Sequence, residues 1–308
     1  MSQIYSPLTT TSRRRRFTNR FFQVLIYGAF GLALIPLISV SWTVLSNGFE
    51  RLSPYFLSVT MRGVYGGMDA GGIYHAIIGT LLITALATAI SVPIGLLVAI
   101  YLVEYGRGSR LAQAVTFFVD VMTGIPSIVA GLFAYSLFAV IFGPGVRSGV
   151  VGSVALSVLM IPIVVRSCEE MLRLVPNDLR EASYALGVPK WLTIIKVVLR
   201  TAIGGLGTGI TLAIARIVGE TAPLLITVGV IDSLNFNVFD GRMMTLPVYI
   251  YGQYTQGLVP CAADAVDCIA EINYDRAWAA ALTLILLVMI LNLGARLLTR
   301  YFAPKGDR

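Results

Sequence analysis

Residues 174–191 read Leu174-Val-Pro-Asn-Asp-Leu-Arg-Glu-Ala-Ser-Tyr-Ala-Leu-Gly-Val-Pro-Lys-Trp191, a short charged stretch in a chain otherwise dominated by apolar runs. The stretch predicts a helix of about two turns. Asp178 is expected to cap its first turn, with Glu181 at the spacing of a capping box, and Pro189 prevents continuation. Gly187 suits the left-handed position that follows a helix end. Because so short a helix buries little surface, it is expected to dock onto a partner or, equally, to be an ordinary surface connector.

The composition is typical of a membrane protein. Of the 308 residues, 56% are hydrophobic and 13% are charged, and the mean hydropathy is +0.81. A soluble domain carries about 25% charged residues. The net charge of +7 comes from basic residues dispersed among the ends of apolar runs, which indicates contact with membrane lipid and no nucleic acid partner. Three cysteines indicate neither a metal cluster nor a disulfide framework.

Hydropathy predicts six transmembrane helices and therefore an all-α integral membrane protein. The first span covers residues 21–45, after a basic tail (residues 1–20) that we expect to lie disordered against anionic lipid. Its apolar stretch exceeds the about 7–15 residues of a signal-peptide core, so we interpret it as an uncleaved helix. The other five spans are predicted near residues 73–103, 111–142, 149–165, 203–230 and 277–298.

Six spans place both termini on the same side of the membrane, and the distribution of Lys and Arg decides which side it is. Most of these residues lie in the basic tail, in the loops 104–110 and 166–200, and at the C-terminal end, which closes with a short tail, residues 301–308. The opposite side carries only Arg51, Arg62, Arg147, Arg242 and Arg276. The positive-inside rule therefore predicts cytoplasmic termini and a cytoplasmic loop 166–200.

Two larger loops are predicted on the extracytoplasmic side. Residues 46–72 are Gly-rich, whereas residues 231–276 are acidic and form either a solvated loop or a surface for an extracytoplasmic partner. Cys261 and Cys268 share the second loop, and the oxidising compartment makes a local disulfide between them a reasonable expectation. Cys168 is expected on the cytoplasmic side, without a special role.

Charged residues inside the predicted spans are the candidates for chemistry. Arg216 and Glu220 are four residues apart and would share one helical face. An unpaired arginine at the bilayer centre costs about 2.5–3.5 kcal/mol, so exposure to lipid is unfavourable. The pair either neutralises itself structurally or lines an anion pathway, and we favour the pathway because intramembrane ionisable residues are usually functional. Small residues at 205, 209 and 213 predict close approach of another helix.

Two further charges are open to the same two interpretations. Asp120 lies in the third span before the kink predicted at Gly124-Ile-Pro126, as a second buried charge, and Arg166 ends the fourth span, where a membrane-edge anchor is the simpler interpretation. A guanidinium offers a planar fork of donors that matches a tetrahedral oxyanion, and it stays charged when desolvated. The residues therefore favour an anion pathway without naming the anion.

The segment Glu181-Ala182-Ser183, followed by Gly187 and by Val197-Val-Leu199, resembles the EAA loop of ABC-importer permeases. Ser183, Val197 and Arg200 stand where the pattern has Ala, Ile and Pro. In that family the loop docks into the ATPase subunit, and the architecture implied is that of a type I importer. The resemblance implies docking through Asp178, Glu181, Ala182, Ser183, Leu186 and Gly187.

A closer resemblance, from about residue 72 to 300, is to the PstA family of phosphate transport permeases. It is carried by Val164-Val-Arg166, Arg180-Glu-Ala-Ser-Tyr-Ala-Leu-Gly187, Leu246-Pro-Val248 and Ala213-Ile-Ala-Arg-Ile-Val-Gly-Glu-Thr-Ala-Pro-Leu-Leu225. Residues 73–300 would thus form the permease core. The resemblance implies that Arg166 and Arg216 serve phosphate passage, and the predicted pathway is Arg216, Glu220, Arg166, Thr221 and Asp120.

The resemblance also implies a complex in the bacterial inner membrane. Its other members would be a second permease (PstC-like), a cytoplasmic ATPase dimer (PstB-like) and an extracytoplasmic phosphate-binding protein (PstS-like), working by alternating access. The chain has no G-x-x-x-x-G-K-[ST] motif, so ATP and Mg²⁺ are expected in the ATPase, and this chain is expected to be no enzyme and to hold no cofactor or metal. The alternatives are a permease for another oxyanion, such as molybdate or sulfate, and a self-contained secondary anion carrier.

Overall fold

The computed structural model of the chain describes residues 13–106, 108–261 and 268–302, with side chains described up to residue 297. Most of the predicted N-terminal tail and most of the C-terminal tail 301–308 lie outside these ranges. The chain divides into two compact units, Met1–Asn47 and Gly48–Arg308. The described residues form helices and no strand, in agreement with the predicted all-α class.

The helices are α1 (Arg13–Arg51), α2 (Pro54–Ser58), α3 (Tyr74–Ile100), α4 (Arg110–Thr123), α5 (Ser127–Phe142), α6 (Gly149–Arg173), α7 (Asn177–Ala185), α8 (Lys190–Thr193), α9 (Leu199–Val218), α10 (Ala222–Thr227), α11 (Leu246–Gln256) and α12 (Ile272–Phe302). Two π-helical turns extend these helices. The first, Tyr101–Tyr105, continues α3, and the second, Ile194–Val198, joins α8 to α9.

Five of the described helices are long and apolar enough to cross a membrane: α1, α3 with its π turn, α6, the run Lys190–Val218, and α12. The pair α4–α5 would be a sixth span if its two bent halves are taken together. The kink predicted at Gly124-Ile-Pro126 is confirmed, and it is sharp, because the two halves of the predicted span 111–142 meet at a bend of 107°. Pro126 lies at the break, and a proline disfavours helical geometry in the residue before it.

The first helix is longer than predicted at both ends. Residues 13–20, assigned to a disordered tail, are helical, so that part of the prediction is wrong. Arginine is a good helix former, and no Gly or Pro occurs between Arg13 and Tyr27 to stop the helix. The apolar window of α1 is entirely exposed within its own unit, as expected for a helix whose surroundings are lipid or another chain.

Helix α6 is at the centre of the second unit. Of its apolar window 67% is buried, against 28% for α3, for the α9 span and for α12. Helix α9 packs on α6 through its small residues: a Cβ added at Gly205 would come within 2.4 Å of Met171 Sδ, and one at Gly209 within 2.7 Å of Ser167 Cβ. The predicted close helix approach is therefore confirmed, and the pairing shows that α9 runs antiparallel to α6.

Three predicted loops contain more helix than expected. The loop 166–200 consists largely of the end of α6 followed by α7, α8 and the second π turn. The loop 46–72 contains the end of α1 and all of α2, and 231–276 contains α11 and the start of α12. The predicted span 203–230 is shifted as well, since helix begins at Lys190 and stops at Val218. Hydropathy locates the middle of each apolar segment but not the ends of the helix, because helix ends depend on capping and packing.

Candidate functional site

The start of helix α7 differs from the sequence prediction. The position before its first residue is taken by Pro176, in an extended conformation, and no side chain caps the helix there. Asp178 lies in the first turn and is not the cap, so the predicted capping box is wrong. Its carboxylate still suits this end of the helix, because a helix N-terminus favours negative charge.

The end of α7 follows the prediction. Gly187 has a φ of +75°, a left-handed conformation that disfavours residues with a Cβ. Its N–H donates to the Tyr184 carbonyl at 2.9 Å, and the Val188 N–H donates to the Ser183 carbonyl at 3.2 Å. This pair of bonds is the Schellman arrangement, so the role of Gly187 in ending the helix is confirmed.

The exposed surface of α7 carries most of the predicted docking residues. Asp178, Glu181, Ala182, Leu186 and Gly187 are exposed, and Leu186 retains 83% of its accessible surface. The exposed surface of this short helix therefore has both apolar and acidic character.

Ser183 does not belong to this surface. Its side chain is buried, and its Oγ lies 2.8 Å from Thr193 Oγ1 in a hydrogen bond across the turn that follows α7. The structure therefore assigns Ser183 to internal packing, because a side chain that faces α8 cannot also face a partner.

Helix α7 is fixed to the rest of the chain by a buried arginine that the sequence analysis did not single out. Arg180 is 6% exposed and donates from Nε and Nη2 to Glu104 Oε1 at 3.0 and 2.8 Å. It also donates to the carbonyls of Val175 and Leu172, at 2.6 and 3.1 Å. The only sequence signal for Glu104 is its position, as a carboxylate at the end of an apolar span.

Arg216 has a different environment. It lies on α9 two residues before the helix ends, and its side chain is exposed. Glu220 and Thr221 follow in the break between α9 and α10, and both are half-buried. The predicted i, i+4 arrangement is wrong because the helix stops at Val218, and no ion pair joins Arg216 to any residue within the described ranges.

Arg166 links two helices through carboxylates. From α6 it donates to Asp120 of α4 and to Glu169 Oε2, the latter at 2.9 Å. Glu169 also accepts from Arg173 at 2.7 Å. The Asp120 side chain is 58% exposed, so its prediction as a buried charge is wrong, and Glu169 was missed by the sequence analysis.

A groove of mixed polar and apolar lining adjoins this charge network. Its volume is about 640 Å³, and it lies between α4, the first π turn and α6. The side chains that give it polar character are those of Ser109, Gln113, Thr116, Asp120, Glu169 and Arg173. Gly209 of α9 lies beside Ser167 of α6, and the two helices are antiparallel. The helical rise then places Arg216 roughly 9 Å nearer to the start of α6 than Arg166. The two arginines therefore occupy different levels of the same helix pair.

Comparison with known proteins identifies the family. The sequence model of the family described as binding-protein-dependent transport system inner membrane components matches residues 91–307. The chain belongs to this family of transport-system membrane components. Within the family, it is 44% identical over 306 residues to the phosphate transport system permease protein PstA 1 of Mycobacterium tuberculosis, which covers 99% of this chain and 94% of that protein. It is 39% identical to the PstA protein of Pasteurella multocida, covering 92% and 95% of the two chains.

Solved structures of ABC transporters share the fold of this transport-system component. A chain of a bacterial alginate ABC transporter, in complex with an alginate-bound periplasmic protein, superposes with a TM-score of 0.61 at 14% identity and covers 94% of this chain and 97% of its own. A chain of the methionine ABC transporter MetNI, in an inward-facing conformation, superposes with a TM-score of 0.53 at 20% identity, covering 76% and 95%. At these identities the likeness shows the fold alone, and it is that of ABC-importer permeases.

The disulfide expected between Cys261 and Cys268 is present in the structure. Cys261 and Cys268 are joined in the structure, with Cα atoms 5.7 Å apart, and Cys168 is free and buried. The neighbouring Ile269 N–H donates to the Gly67 carbonyl at 2.8 Å, which ties this segment to the loop after α2. In the part of the chain that the structure describes, no group of His, Cys, Asp and Glu side chains could hold a metal ion.

Proposed function

We propose that this chain is a membrane-spanning permease subunit of an ATP-driven importer of inorganic phosphate. The observation that carries the proposal is the near full-length similarity, at 38–45% identity, to curated proteins named phosphate transport system permease PstA. The permease fold and the exposed α7 surface are consistent with it. ATP hydrolysis belongs to a separate subunit, and the chain itself is a transport component.

The chain works within an assembly of several subunits. As an ABC permease it acts with a partner permease, an ATPase and a binding protein. More specifically, we propose a PstC-like permease, a PstB-like ATPase dimer that uses ATP and Mg²⁺, and a PstS-like phosphate-binding protein. The chain is a multi-pass membrane protein, and we propose the bacterial inner membrane, with both termini and α7 on the cytoplasmic side, because the basic loops favour that orientation.

The proposed mechanism is alternating access. The loaded binding protein docks outside, and ATP draws the two nucleotide-binding domains together. Movement of the ATPase pulls on α7 and opens the pathway towards the binding protein, and hydrolysis resets it. In this mechanism α7 makes the contact with the cytoplasmic ATPase. The exposed side chains of Glu181 and Leu186 support that role.

Arg216 is proposed to bind the passing anion. An exposed guanidinium on a membrane-crossing helix, without an ion-pair partner in the described residues, offers all its donors to an oxyanion. Arg166 is proposed as a second site, where a phosphate would compete with the Asp120 and Glu169 carboxylates that now hold its guanidinium. Glu220 and Thr221 would line the break next to Arg216.

The test is phosphate uptake into proteoliposomes that contain the assembled complex and its binding protein. We expect uptake that requires ATP and the ATPase subunit, with no uptake by this chain alone. Parallel assays with sulfate and molybdate, each with a matching loaded binding protein, separate the oxyanions. ATP hydrolysis stimulated only by a sulfate- or molybdate-loaded binding protein would overturn the assignment to phosphate. Gradient-driven uptake by the isolated chain would overturn the assignment to an ABC importer.

A further inference from the structure

Two residues of the α7 region are attached to the same short segment of the chain. Within α7, on its buried side, Arg180 binds the Glu104 carboxylate. After α7, Lys190 Nζ donates to the Glu104 backbone carbonyl and lies 4.6 Å from the centre of the Tyr105 ring. Glu104 and Tyr105 end the first π turn, at the end of α3. The α7 region is therefore attached through two residues to one point of one membrane helix.

The Arg180 contact joins three helices through a single guanidinium. Its bonds to the Leu172 and Val175 carbonyls satisfy acceptors at the end of α6, its bonds to Glu104 reach α3, and its own backbone belongs to α7. The side chains of the ion pair are 7% and 4% exposed. A buried and fully bonded arginine allows little relative movement between the groups that it joins, because each displaced donor would be left unsatisfied.

Stability alone does not explain why this contact is ionic. Replacing a buried ion pair by apolar residues of similar volume is often neutral or stabilising, because both charges must lose their water. An ion pair gives something else, namely a directional link that fixes the position of one helix relative to another. The Glu104–Arg180 pair is such a link. It joins α7 to the end of α3 although the two residues are 76 positions apart in sequence.

A π-helical turn lies on each of two helices next to the α7 region, α3 and α9. The first turn, Tyr101–Tyr105, ends α3, and the second, Ile194–Val198, leads into α9. Such turns contain one extra residue and occur frequently at functional sites. The π turn that carries Glu104 therefore marks the end of α3 as a candidate functional position.

We infer that Glu104 is a positioning residue for ATP-driven transport: together with Arg180 it transmits the displacement of α7 to α3, and the Lys190–Tyr105 contact supports it. This inference rests on the proposed function for the direction of the movement. The contact lies on the inner side of α7, away from the exposed docking surface, so Glu104 contributes to coupling and not to capture of the ATPase.

The deciding variant replaces both ionic partners, Glu104→Met with Arg180→Met, so that no buried charge is left alone. In the reconstituted complex we expect normal recovery of the ATPase and continued ATP hydrolysis. Phosphate imported per ATP hydrolysed should fall about 2- to 30-fold, the range expected for loss of a coupling contact. Arg110→Met, which removes an exposed cation at the start of α4, is the matched control and should leave this ratio unchanged.

Two results overturn the inference. An unchanged ratio in the double variant would make the pair structural only, and loss of the bound ATPase would make it part of the docking site. Should the double variant fail to reach the membrane, Lys190→Met with Tyr105→Leu takes its place, since both side chains are exposed. That variant should lower the same ratio, and an unchanged ratio again contradicts the inference.

The wild-type complex separates this inference from the proposed function. If wild type imports a different oxyanion, phosphate is the wrong substrate, and the same ratio is measured with the substrate that it does import. If wild type imports phosphate and the double variant keeps the wild-type ratio, only the role of Glu104 is wrong.

Discussion

Arg180 and Arg216 show how differently one residue type can be used within a single membrane-spanning unit. Arg180 is 6% exposed and donates to a carboxylate and to the carbonyls that end α6. Arg216 is exposed on α9, and no described residue forms an ion pair with it. The first arginine is satisfied by its own chain, whereas the second is not.

The difference indicates where each arginine acts. A guanidinium whose donors are all used within the fold has a fixed position, and its loss should affect the fold. A guanidinium on a membrane-crossing helix cannot face lipid without a cost of about 2.5–3.5 kcal/mol or more. We therefore expect the surface around Arg216 to face another subunit or an aqueous pathway, and we expect loss of this arginine to affect transport. The following experiments test this contrast, from the largest expected effect to the smallest.

Arg180→Met alone should have the largest effect, on assembly. It leaves the Glu104 carboxylate buried without its partner, and breaking a buried pair from one side costs about 3–5 kcal/mol. We expect less protein in the membrane and a lower unfolding temperature, measured with the purified complex. Adding Glu104→Met should restore both. If the single variant is as stable as wild type, the structural half of the comparison fails.

Arg216→Gln should stop transport without affecting assembly. Loss of a charge-assisted contact to the anion is worth about 1.5–3 kcal/mol, which corresponds to a decrease of roughly 10- to 150-fold in phosphate uptake. Arg62→Gln, at an exposed position outside the spans, is the control.

The double variant Arg216→Gln with Glu220→Gln decides between the two interpretations of this arginine. Recovery of transport in the double variant would mean that the two residues form a structural pair in the assembled complex, and the pathway role would be wrong. Normal assembly with continued failure of transport supports anion binding by Arg216.

Substitutions in α7 should weaken ATPase binding by a smaller amount. Gly187→Val forces a β-branched residue into a left-handed conformation at a cost of about 1–2 kcal/mol, and no atom within 4 Å of the added Cβ complicates the interpretation. Gly204→Val is the matched control, because Gly204 also has open space around it but an ordinary helical conformation. Glu181→Lys should act in the same direction by reversing an exposed charge. The measurement is co-purification of the ATPase, and an unchanged yield with both α7 variants argues against docking through this surface.

The outer cysteines should have the smallest effect on transport. Since Cys261 and Cys268 are bonded in the structure, a membrane-impermeant thiol reagent should label neither of them before reduction. Replacing both by serine should leave uptake unchanged, because neither cysteine belongs to the proposed anion pathway or to the α7 surface. Labelling of wild type without a reductant would exclude the disulfide in the native membrane.

The sequence predicted those features that depend on neighbouring residues. The helix end at Gly187 followed from a local conformational preference, and the close packing at Gly205 and Gly209 followed from the absence of side chains. The position of the break after Val218 was not predicted, and with it the pairing of Arg216 with Glu220 was lost. The apolar stretches on either side of this break were assigned to one span, whereas the structure has two helices, with Pro223 in the first turn of α10.

Taken alone, the sequence determined that this is an all-α membrane protein with a short helix that ends at Gly187, and it identified the family. These properties follow from composition, from apolar segment length and from local turn chemistry. Only the tertiary structure decided which charges are satisfied. Glu104 meets Arg180 across 76 residues, and Asp120 meets Arg166 across 46. Such contacts depend on how α3, α4, α6 and α7 pack, and no pattern within one segment of sequence encodes that packing.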